Sequence, residues 1–567
     1  MGANMRMWAL SCSLIACGVL CTSAVYGQAA GDQESTVVTV RGRVLNKITN
    51  EPIARALVTT AGDEYATLTN DRGQFAVNIA GPPGPTNGSE SRLDAVSRIV
   101  GAGMFQARKP GFLRPERQGS MAFQSAVVQK DGTSEVTIYL LPEAMIIGHV
   151  NVPGSEGDVR IECELYRRRM NAGREQWLPA GQFLTWADGE FRFSELEAGT
   201  YKLITHEQMD RESMLGIPGA PLFGYPPIYY PNTTDFSEAG AIVVHAGQTA
   251  QISLAVTRRQ YYPVRIPVLN AATGGGINVD VHPMGHRSPG WSLGYNPMDR
   301  AIEGMLPDGN YTVEVDAQGE EQTTGTVNFL VSGRSAQGPP LNLIPNPSLT
   351  VNVHEEFQGD SDEAREQVTE GGAPSQAYRI NVDLQPTDEF DRNGGRFGIT
   401  GPGEVSGDGT WYLERVRPGR YRVNIMPSRG YVSSIQFGGV DLLKQPLVVA
   451  SGAGNSPIEV TLRDDGGQVS GTVEGGGNIQ FGYAYLFLME ESRPNPLSVG
   501  FQGSSFQFLQ VPPGDYLALA YEEPQQDPPS VDRDALRLLQ SKGQLIHVEA
   551  GQKMSVKVKM VTDGEGE

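Results

Sequence analysis

The sequence has very little cysteine, and most of it lies at one end. Of four cysteines in 567 residues, Cys12, Cys17 and Cys21 fall within the first 27 residues, which leaves Cys163 for the rest of the chain. One thiol forms no intramolecular disulfide, so hydrophobic cores have to hold the chain together. Cys163 shares one side of the alternating stretch 159–165 with Val159, Ile161 and Leu165, which predicts a buried strand residue rather than a nucleophile or ligand.

Positive charge is also scarce. The chain has 45 Lys and Arg against 65 Asp and Glu, for a net charge of −20. Such a surface repels phosphate backbones and anionic lipid, so nucleic acid is not an expected partner. Hydrophobic residues make up 39% of the chain, which is too many for a disordered composition.

Long apolar runs are missing outside the N-terminus, where one extends from Met7 to about Val25 behind Arg6. A positive end, a short apolar stretch and the small residues at 25–27 predict a cleavable signal peptide over residues 1–27. A second interpretation takes residues 14–17 (LIAC) as a lipobox that makes the protein a lipoprotein through Cys17. No later run approaches the roughly 18 apolar residues that cross a bilayer, so we expect no transmembrane span after cleavage.

Catalytic and metal-binding motifs are missing as well. The sequence has no His-x-x-Glu pair, no Gly-x-Ser-x-Gly elbow and no phosphate-binding loop. His282 and His286 have a spacing found in zinc sites, but Pro283 and Gly285 prevent a helix there, so we interpret them as a loop with two incidental histidines. We interpret the acidic stretch 388–394 as a turn rather than a calcium loop. We therefore predict no enzyme activity, no catalytic residues, no metal and no cofactor.

What the chain has in excess is glycine and proline, with 69 and 38 residues. Much of this excess belongs to a phrase that recurs in residues 189–203, 409–423 and 504–519, with a weaker copy in 302–313. Two alternating segments flank a glycine, and a tyrosine follows two residues later. This pattern predicts a hairpin in which the glycine supplies a positive φ or a close backbone approach. The tyrosine buries its ring while its hydroxyl reaches a partner.

Recurrent openings near residues 40, 146, 264, 349 and 468 divide the chain into five modules. The third is the least certain, because its opening lacks the glycine. Short strands with turn signals between them predict an all-β chain of tandem antiparallel β-sandwich modules, transthyretin-like or immunoglobulin-like, with few short helices at 91–100 and 532–543. We read the polar span 357–374 as a loop. The predicted modules cover residues 38–142, 144–257, 262–346, 348–463 and 467–561.

The first module resembles a known family. The matching segments are residues 40–44 (VRGRV), 51–58 (EPIARALV), 67–75 (TLTNDRGQF) and 109–112 (KPGF). They are similar to the carboxypeptidase regulatory-like domain, which implies a transthyretin-like, carbohydrate-binding-like sandwich of about seven strands. In metallocarboxypeptidases this domain accompanies the catalytic domain and does not itself cleave peptides. The whole chain resembles large secreted bacterial proteins that string such modules together.

One aromatic loop is a candidate ligand site. Tyr225, Tyr229 and Tyr230 lie among prolines, and flat exposed rings on a loop would stack against sugar faces. The other interpretation is that these rings pack the loop against its own module, since aromatic residues are generally buried for their area.

These observations predict an exported, non-enzymatic scaffold for binding or spacing, at the cell surface or outside the cell. Its compartment is extracellular, periplasmic or the outer surface of a bacterial cell envelope. The alternative is a carbohydrate-binding protein that uses exposed aromatic residues of the tyrosine loop. A glycan or an envelope protein is the expected class of partner.

Overall fold

The protein folds as a series of β-sheets, two in each of the first four modules and one connected sheet in the fifth, so the all-β fold class is confirmed. The computed structural model describes residues 37–60, 64–80, 104–117, 124–125, 127–128, 134–153, 159–171, 174–210, 221–271, 276–319, 321–358, 379–391, 395–400, 410–452, 456–474, 481–490, 496–522, 524–525 and 533–561. The predicted signal peptide, the predicted helix at 91–100 and most of the predicted loop at 357–374 lie outside these residues. The module boundaries themselves stay predictions.

The first module packs two sheets around one core. Its described strands are β1 (Val37–Asn46), β2 (Leu57–Thr60), β3 (Ala66–Leu68), β4 (Gln74–Ala80), β5 (Met104–Arg108), β6 (Gln124–Ser125), β7 (Val127–Val128) and β8 (Ser134–Leu140), with a 3₁₀ turn at Pro115–Arg117. The sheets have the orders β4-β1-β8-β7 and β3-β2-β5-β6. Alternate residues such as Val40, Val58, Phe105 and Ile138 fill the space between them, as a period of two requires.

The second module repeats this arrangement. The next strands are β9 (Ala144–Asn151), β10 (Glu162–Asn171), β11 (Arg174–Leu184), β12 (Glu190–Leu196), β13 (Gly199–Thr205), β14 (Gln208–Met209), β15 (Leu222–Tyr225), β16 (Ile242–Val244) and β17 (Thr249–Ala255). The sheets are β11-β10-β13-β16 and β12-β9-β17. Cys163 lies on β10 in their shared core and is fully buried, as predicted, and burial raises the pKa of its thiol to about 12.

One sheet of the third module includes two strands, β14 and β15, that precede it in the chain. Its own strands are β18 (Arg259–Leu269), β19 (Ile277–Pro283), β20 (Leu293–Asn296), β21 (Ala301–Pro307), β22 (Gly309–Ala317), β23 (Thr323–Val331), β24 (Ala336–Gln337), β25 (Leu341–Asn342) and β26 (Ile344–Pro345). One sheet is β19-β22-β23-β26, and the other is β14-β15-β18-β21-β20 with β24 and β25 also paired to β18. Strands β14 and β15, which the predicted boundaries give to the second module, thus belong to a sheet of the third.

The fourth and fifth modules complete the series. The fourth has β27 (Leu349–Glu356), β28 (Arg379–Pro386), β29 (Gly395–Thr400), β30 (Thr410–Leu413), β31 (Gly419–Pro427), β32 (Tyr431–Phe437), β33 (Val440–Asp441), β34 (Leu447–Val449) and β35 (Ile458–Arg463). Its sheets are β30-β27-β35-β32-β33 and β29-β28-β31-β34.

The fifth module has β36 (Gly467–Glu474), β37 (Gly482–Leu488), β38 (Leu497–Phe501), β39 (Ser505–Val511), β40 (Gly514–Tyr521), α1 (Arg533–Leu539), β41 (Gln544–Val548) and β42 (Lys553–Val561). Its sheet order is β38-β37-β40-β42-β36-β39, with β41 on β40. Helix α1 lies within the predicted helix at 532–543. No helix among the described residues is long and apolar enough to cross a membrane.

One topology recurs in all five modules. In each module the opening strand pairs antiparallel with one later strand and parallel with a strand near the end of the module. The antiparallel pairs are β1 with β4, β9 with β12, β18 with β21, β27 with β30, and β36 with β39. The parallel pairs are β1 with β8, β9 with β17, β18 with β24 and β25, β27 with β35, and β36 with β42. The entering and leaving strands of a module therefore run side by side in the same direction.

The opening glycine accommodates an aromatic ring from the neighbouring strand. In the first, second and fifth modules these residues pair directly, as Gly42 with Phe75, Gly148 with Phe191 and Gly471 with Phe506. A Cβ added to the glycine would lie 2.0 to 2.5 Å from the ring's Cζ atom, which is far inside van der Waals contact. In the third module the glycine is on the other strand, where Gly304 lies opposite Val264.

The recurrent tyrosine buries its ring and its hydroxyl binds across the turn that precedes it, as expected. Its hydroxyl donates to the carbonyl four residues earlier: Tyr201 to Glu197 at 2.7 Å, Tyr311 to Pro307 at 3.0 Å, Tyr421 to Arg417 at 2.7 Å and Tyr516 to Pro512 at 2.8 Å. A Cβ on Gly309 would lie 3.0 Å from the Tyr311 ring, so the glycine serves close approach. Left-handed backbone occurs instead at Glu195, Arg415 and Gln510, with φ between 54° and 59°.

We predict that Gly471→Ala destabilises the fifth module by about 1–3 kcal/mol, because the new methyl group overlaps the Phe506 ring. Hydrogen–deuterium exchange of the full chain would show faster exchange in peptides from β36 and β39. Gly294→Ala is the matched control, since the nearest atom to its Cβ position is 4.0 Å away. Unchanged exchange in the Gly471 variant would show that the ring moves aside without cost.

Candidate functional site

The second, third and fourth modules meet at one junction, which we call the three-module junction. It begins with residues 206–210, which follow β13, and with β15, which adds a strand to the third module. Leu222 pairs with Tyr261 and Gly224 with Arg259, and the Glu207 amide donates to the Gly290 carbonyl at 2.9 Å. Backbone hydrogen bonds thus tie the second module to the third before any side chain contributes.

The three tyrosines of the candidate ligand loop lie at this junction, but not as exposed rings. Tyr225 is 0% exposed in the core of the second module, and Tyr229 is 1% exposed. Tyr230 is half-buried and packs against the same core. The expectation of rings exposed for stacking is therefore wrong for Tyr225 and Tyr229, because the loop folds inward between two modules. A ligand-binding role for the three residues stays a prediction.

Tyr229 belongs to an aromatic cluster that crosses to other modules. Its hydroxyl is 2.9 Å from the Ser288 hydroxyl of the third module, and burial raises its pKa. Phe390 of the fourth module packs edge-on against two second-module rings, 4.8 Å from Phe236 and 5.3 Å from Tyr166 between centroids. Edge-to-face pairs at this range are favourable beyond the area they bury. One cluster therefore joins three modules.

Lys202 is buried beneath these rings. Its ammonium nitrogen lies 4.0 Å from the Phe236 ring centroid and 4.9 Å from that of Trp177, and it donates to the Phe236 carbonyl at 2.7 Å. Burial lowers its pKa, while the carboxylate of Glu389 acts in the opposite direction. The lysine thus holds the Phe236 segment in place by a hydrogen bond and two cation–π contacts.

A second cluster, which we call the ionic clamp, joins the third and fourth modules. The Glu314 carboxylate accepts from Arg287 at 2.6 Å and from Arg417 of the fourth module at 2.9 Å. Asp391 lies 3.3 Å from Arg287 and 3.9 Å from Arg417. The side chains of Glu314 and Asp391 are only 13% and 6% exposed, so these charges are largely removed from water. Pairing is what makes that burial tolerable.

The clamp perturbs the ionisation of its members. Burial alone would raise the pKa of Glu314, but His282, whose Nε2 lies 3.6 Å from the carboxylate, and the charges of Arg287 and Arg417 lower it overall. Burial would lower the pKa of His282, yet Glu314 and Asp280 raise it. Burial raises the pKa of Asp280, against the opposing charge of His282. The site therefore favours a protonated histidine beside an ionised glutamate.

Two interpretations of the sequence need correction here. His282 is not in a loop: it lies on β19, is 5% exposed, and lies beside Glu314, whereas His286 is exposed in the turn after β19. The acidic stretch at 388–394 does begin as a turn, but Asp391 is a member of the clamp. Among the residues described, no group of three or more His, Cys, Asp or Glu is placed to hold a metal ion.

Glu207 is a third buried group at the junction. It lies where residues 206–210 enter the third module, next to Tyr261 and the backbone of Ser292. Burial raises its pKa to about 8, and hydrogen bonding from Ser292 and Tyr261 opposes this shift only in part. The Glu207 side chain is therefore mostly protonated at neutral pH, which avoids burying an unpaired charge.

No family model matches this sequence, and no curated protein matches it either. The resemblance to the carboxypeptidase regulatory-like domain therefore stays a prediction. Among solved structures the chain is similar to a Streptococcal ancillary pilin, with 10% identity over 57% of this chain and 99% of that chain and a TM-score of 0.19. It is also similar to two B repeat units of the collagen binding protein of Staphylococcus aureus, with 8% identity over 68% of this chain and 94% of that chain and a TM-score of 0.15. Similarities this weak assign no function.

We predict that Glu314→Gln loosens the contact between the third and fourth modules, because Arg287 and Arg417 lose the carboxylate they share. Removing one partner of a buried ion pair typically costs about 3–5 kcal/mol. Hydrogen–deuterium exchange would increase in β22 and in residues 414–418. Glu303→Gln is the control, since Glu303 pairs with a half-exposed Arg265 and such pairs contribute about 0–1 kcal/mol. Equal exchange in both variants would rule out the clamp.

Glu207 predicts a pH dependence of stability. Its pKa rises from 4.5 in the unfolded chain to about 8 in the fold, so between these values the folded state retains a proton that the unfolded state has lost. Stability contributed by this group therefore falls as pH rises from about 4.5 to 8, and is constant above that range. Glu207→Gln should remove this part of the dependence and be more stable than the parent at pH 8. Thermal unfolding at pH 5, 6.5 and 8 tests this, and identical pH profiles for the variant and the parent would contradict it.

Proposed function

We propose that the chain is an exported, non-enzymatic scaffold in which the second, third and fourth modules form a rigid spacer. The observation that carries the proposal is the ionic clamp, where Glu314 is shared by Arg287 of its own module and Arg417 of the next. A buried charge network has one favourable geometry, because any displacement leaves a charge unpaired in a poorly solvated place. Such a network suits a fixed angle between modules.

Four ionisable side chains of the junction have their polar groups in contact with other residues of the junction. Glu314 and Asp391 each contact two guanidinium groups, His282 contacts Glu314, and Lys202 contacts two rings and a carbonyl. Perturbed pKa values often mark active sites, but structural ion-pair networks perturb them too. Here the perturbations come from burial and from charged groups of neighbouring strands and modules, which favours a structural role.

Export is proposed from the N-terminal sequence, with cleavage after Gly27 or lipidation at Cys17 as the two routes. The exported chain would then lie outside the cell, in the periplasm or at the outer surface of the envelope, with a glycan or an envelope protein as the bound partner. The alternative, sugar binding through the tyrosine loop, has less support because Tyr225 and Tyr229 are buried. A binding surface is therefore to be sought elsewhere.

We predict a narrow distance distribution between spin labels on the second and fourth modules. Leu184→Cys and Val448→Cys place the labels on exposed strand residues, and the native Cys163 is fully buried and remains unlabelled. Double electron–electron resonance should give a width close to that of a pair within one module, Leu184→Cys with Val243→Cys. Adding Glu314→Gln should broaden the first distribution and leave the second unchanged.

A broad distribution in the parent chain would refute the spacer. The non-enzymatic part of the proposal has its own test, a panel of peptide and glycoside substrates incubated with the purified protein. Turnover that disappears on substitution of a single carboxylate would overturn it.

A further inference from the structure

A large cleft lies between the first and second modules, away from the three-module junction. It has a volume of about 980 Å³, near the upper end of the 300–1,000 Å³ range usual for ligand pockets. Its walls come from β2, β5 and residues 109–116 of the first module, and from Glu143 and β12 of the second. It is therefore shaped by how the two modules meet.

The wall from the first module is the outer face of a sheet. Leu57 and Thr59 of β2 lie opposite Arg108 and Gln106 of β5, while the residues between them turn inward to the core. Both strands are central in the order β3-β2-β5-β6, so their backbone groups are already paired within the sheet. A ligand in this cleft meets side chains and cannot add as another strand, which argues against an extended peptide.

The cleft is basic in a protein that is strongly acidic. Five basic side chains (Arg55, Arg108, Lys109, Arg114 and Arg192) line it, against three acidic ones (Glu116, Glu143 and Glu195). Two of the acids already have partners, one of them across the module boundary. The Glu195 carboxylate pairs with Arg114 at 2.7 Å, and the Glu143 carboxylate accepts from the Glu195 amide at 2.9 Å.

Three guanidinium groups have no carboxylate partner among the described residues, although Arg192 Nη2 lies 3.1 Å from the Met145 sulfur. Among the described residues, no carboxylate lies within ion-pair distance of Arg55, Arg108 or Arg192, and all three residues are exposed. Arg108 projects from β5 and Arg192 from β12, so cations from two modules face one cleft. A planar guanidinium is the side chain best suited to bind a carboxylate through two parallel hydrogen bonds.

Hydroxyl-binding groups lie between these cations. The Gln106 amide donates to the Thr59 hydroxyl at 3.2 Å, which leaves the hydroxyl proton and the amide oxygen for a ligand. Ser194, one position beyond Phe193 on β12, adds a further hydroxyl from the second module. The lining therefore suits a ligand that carries both carboxylates and many hydroxyls, and Leu57 and Phe112 supply apolar surface for the remainder.

We infer that the cleft between the first and second modules binds an acidic oligosaccharide of the uronate class. Arg108 and Arg192 bind its carboxylates from opposite walls, and Thr59, Gln106 and Ser194 contact its hydroxyls. The inference deepens the proposed scaffold function, on which it rests, by giving the scaffold a class of ligand. It differs from the tyrosine-loop alternative in both the site and the charge of the ligand.

Isothermal titration calorimetry of the full exported chain with a tetragalacturonate tests the inference. We expect saturable binding that weakens as salt is added, because the pairing charges are exposed to solvent. The double variant Arg108→Gln with Arg192→Gln should bind about tenfold more weakly or worse, as expected from loss of charge-assisted hydrogen bonds. Arg420→Gln, an exposed arginine of the fourth module, should bind like the parent.

Three results would overturn the inference: no binding of tetragalacturonate, equal binding of a neutral tetrasaccharide, or parent-like binding by the double variant. Inorganic phosphate that binds as tightly as tetragalacturonate would replace the glycan with a simple anion and refute it too. Circular dichroism checks that the double variant is folded. The spin-label distance between the second and fourth modules, measured on the same preparation, separates a failure of this site from a failure of the spacer.

Discussion

The structure depends on a close approach between two strands that only a missing side chain permits. Where Gly42, Gly148 or Gly471 lies opposite a phenylalanine, the ring occupies the volume that a Cβ would fill. In the second and fifth modules the hydroxyl of the tyrosine that follows then donates to the carbonyl four residues back and fixes the turn. Both contacts act over a short range and tolerate little change in geometry. Copies of the same sequence motif therefore give the same turn in different modules.

The same turns carry the residues that act between modules. Tyr421 holds the Arg417 carbonyl, and the Arg417 side chain binds Glu314 of the third module. Glu195, with left-handed backbone in the corresponding turn of the second module, binds Arg114 of the first. A turn that is held rigid by contacts within its own module thus orients a charged side chain toward the neighbouring module. The junction and the cleft are both consequences of that rigidity.

Alternation with a period of two was enough to predict the strands and the buried Cys163, and the recurrent motif was enough to predict the hydrogen bond of the tyrosine hydroxyl. These features depend on residues that are near in sequence. The burial of Tyr225 and Tyr229 agrees with the interpretation that these rings pack their loop, but the contact of Tyr229 with the third module was not predictable in this way, since it depends on β15 joining a sheet of that module. The clamp was missed for a similar reason: Glu314 and Arg417 are 103 residues apart, and each reads as an ordinary surface charge. The one signal in the sequence was the cluster of acids at Asp388, Glu389 and Asp391.

The parallel pairing of each module's entering and leaving strands has a mechanical consequence. A chain that enters at one end of such a pair leaves at the other, so tension applied along the protein pulls the two strands in opposite directions along their length. The hydrogen bonds between β1 and β8, or between β36 and β42, lie across that direction and are loaded together in shear instead of opening one after another. A tether built from these modules would resist extension at every link.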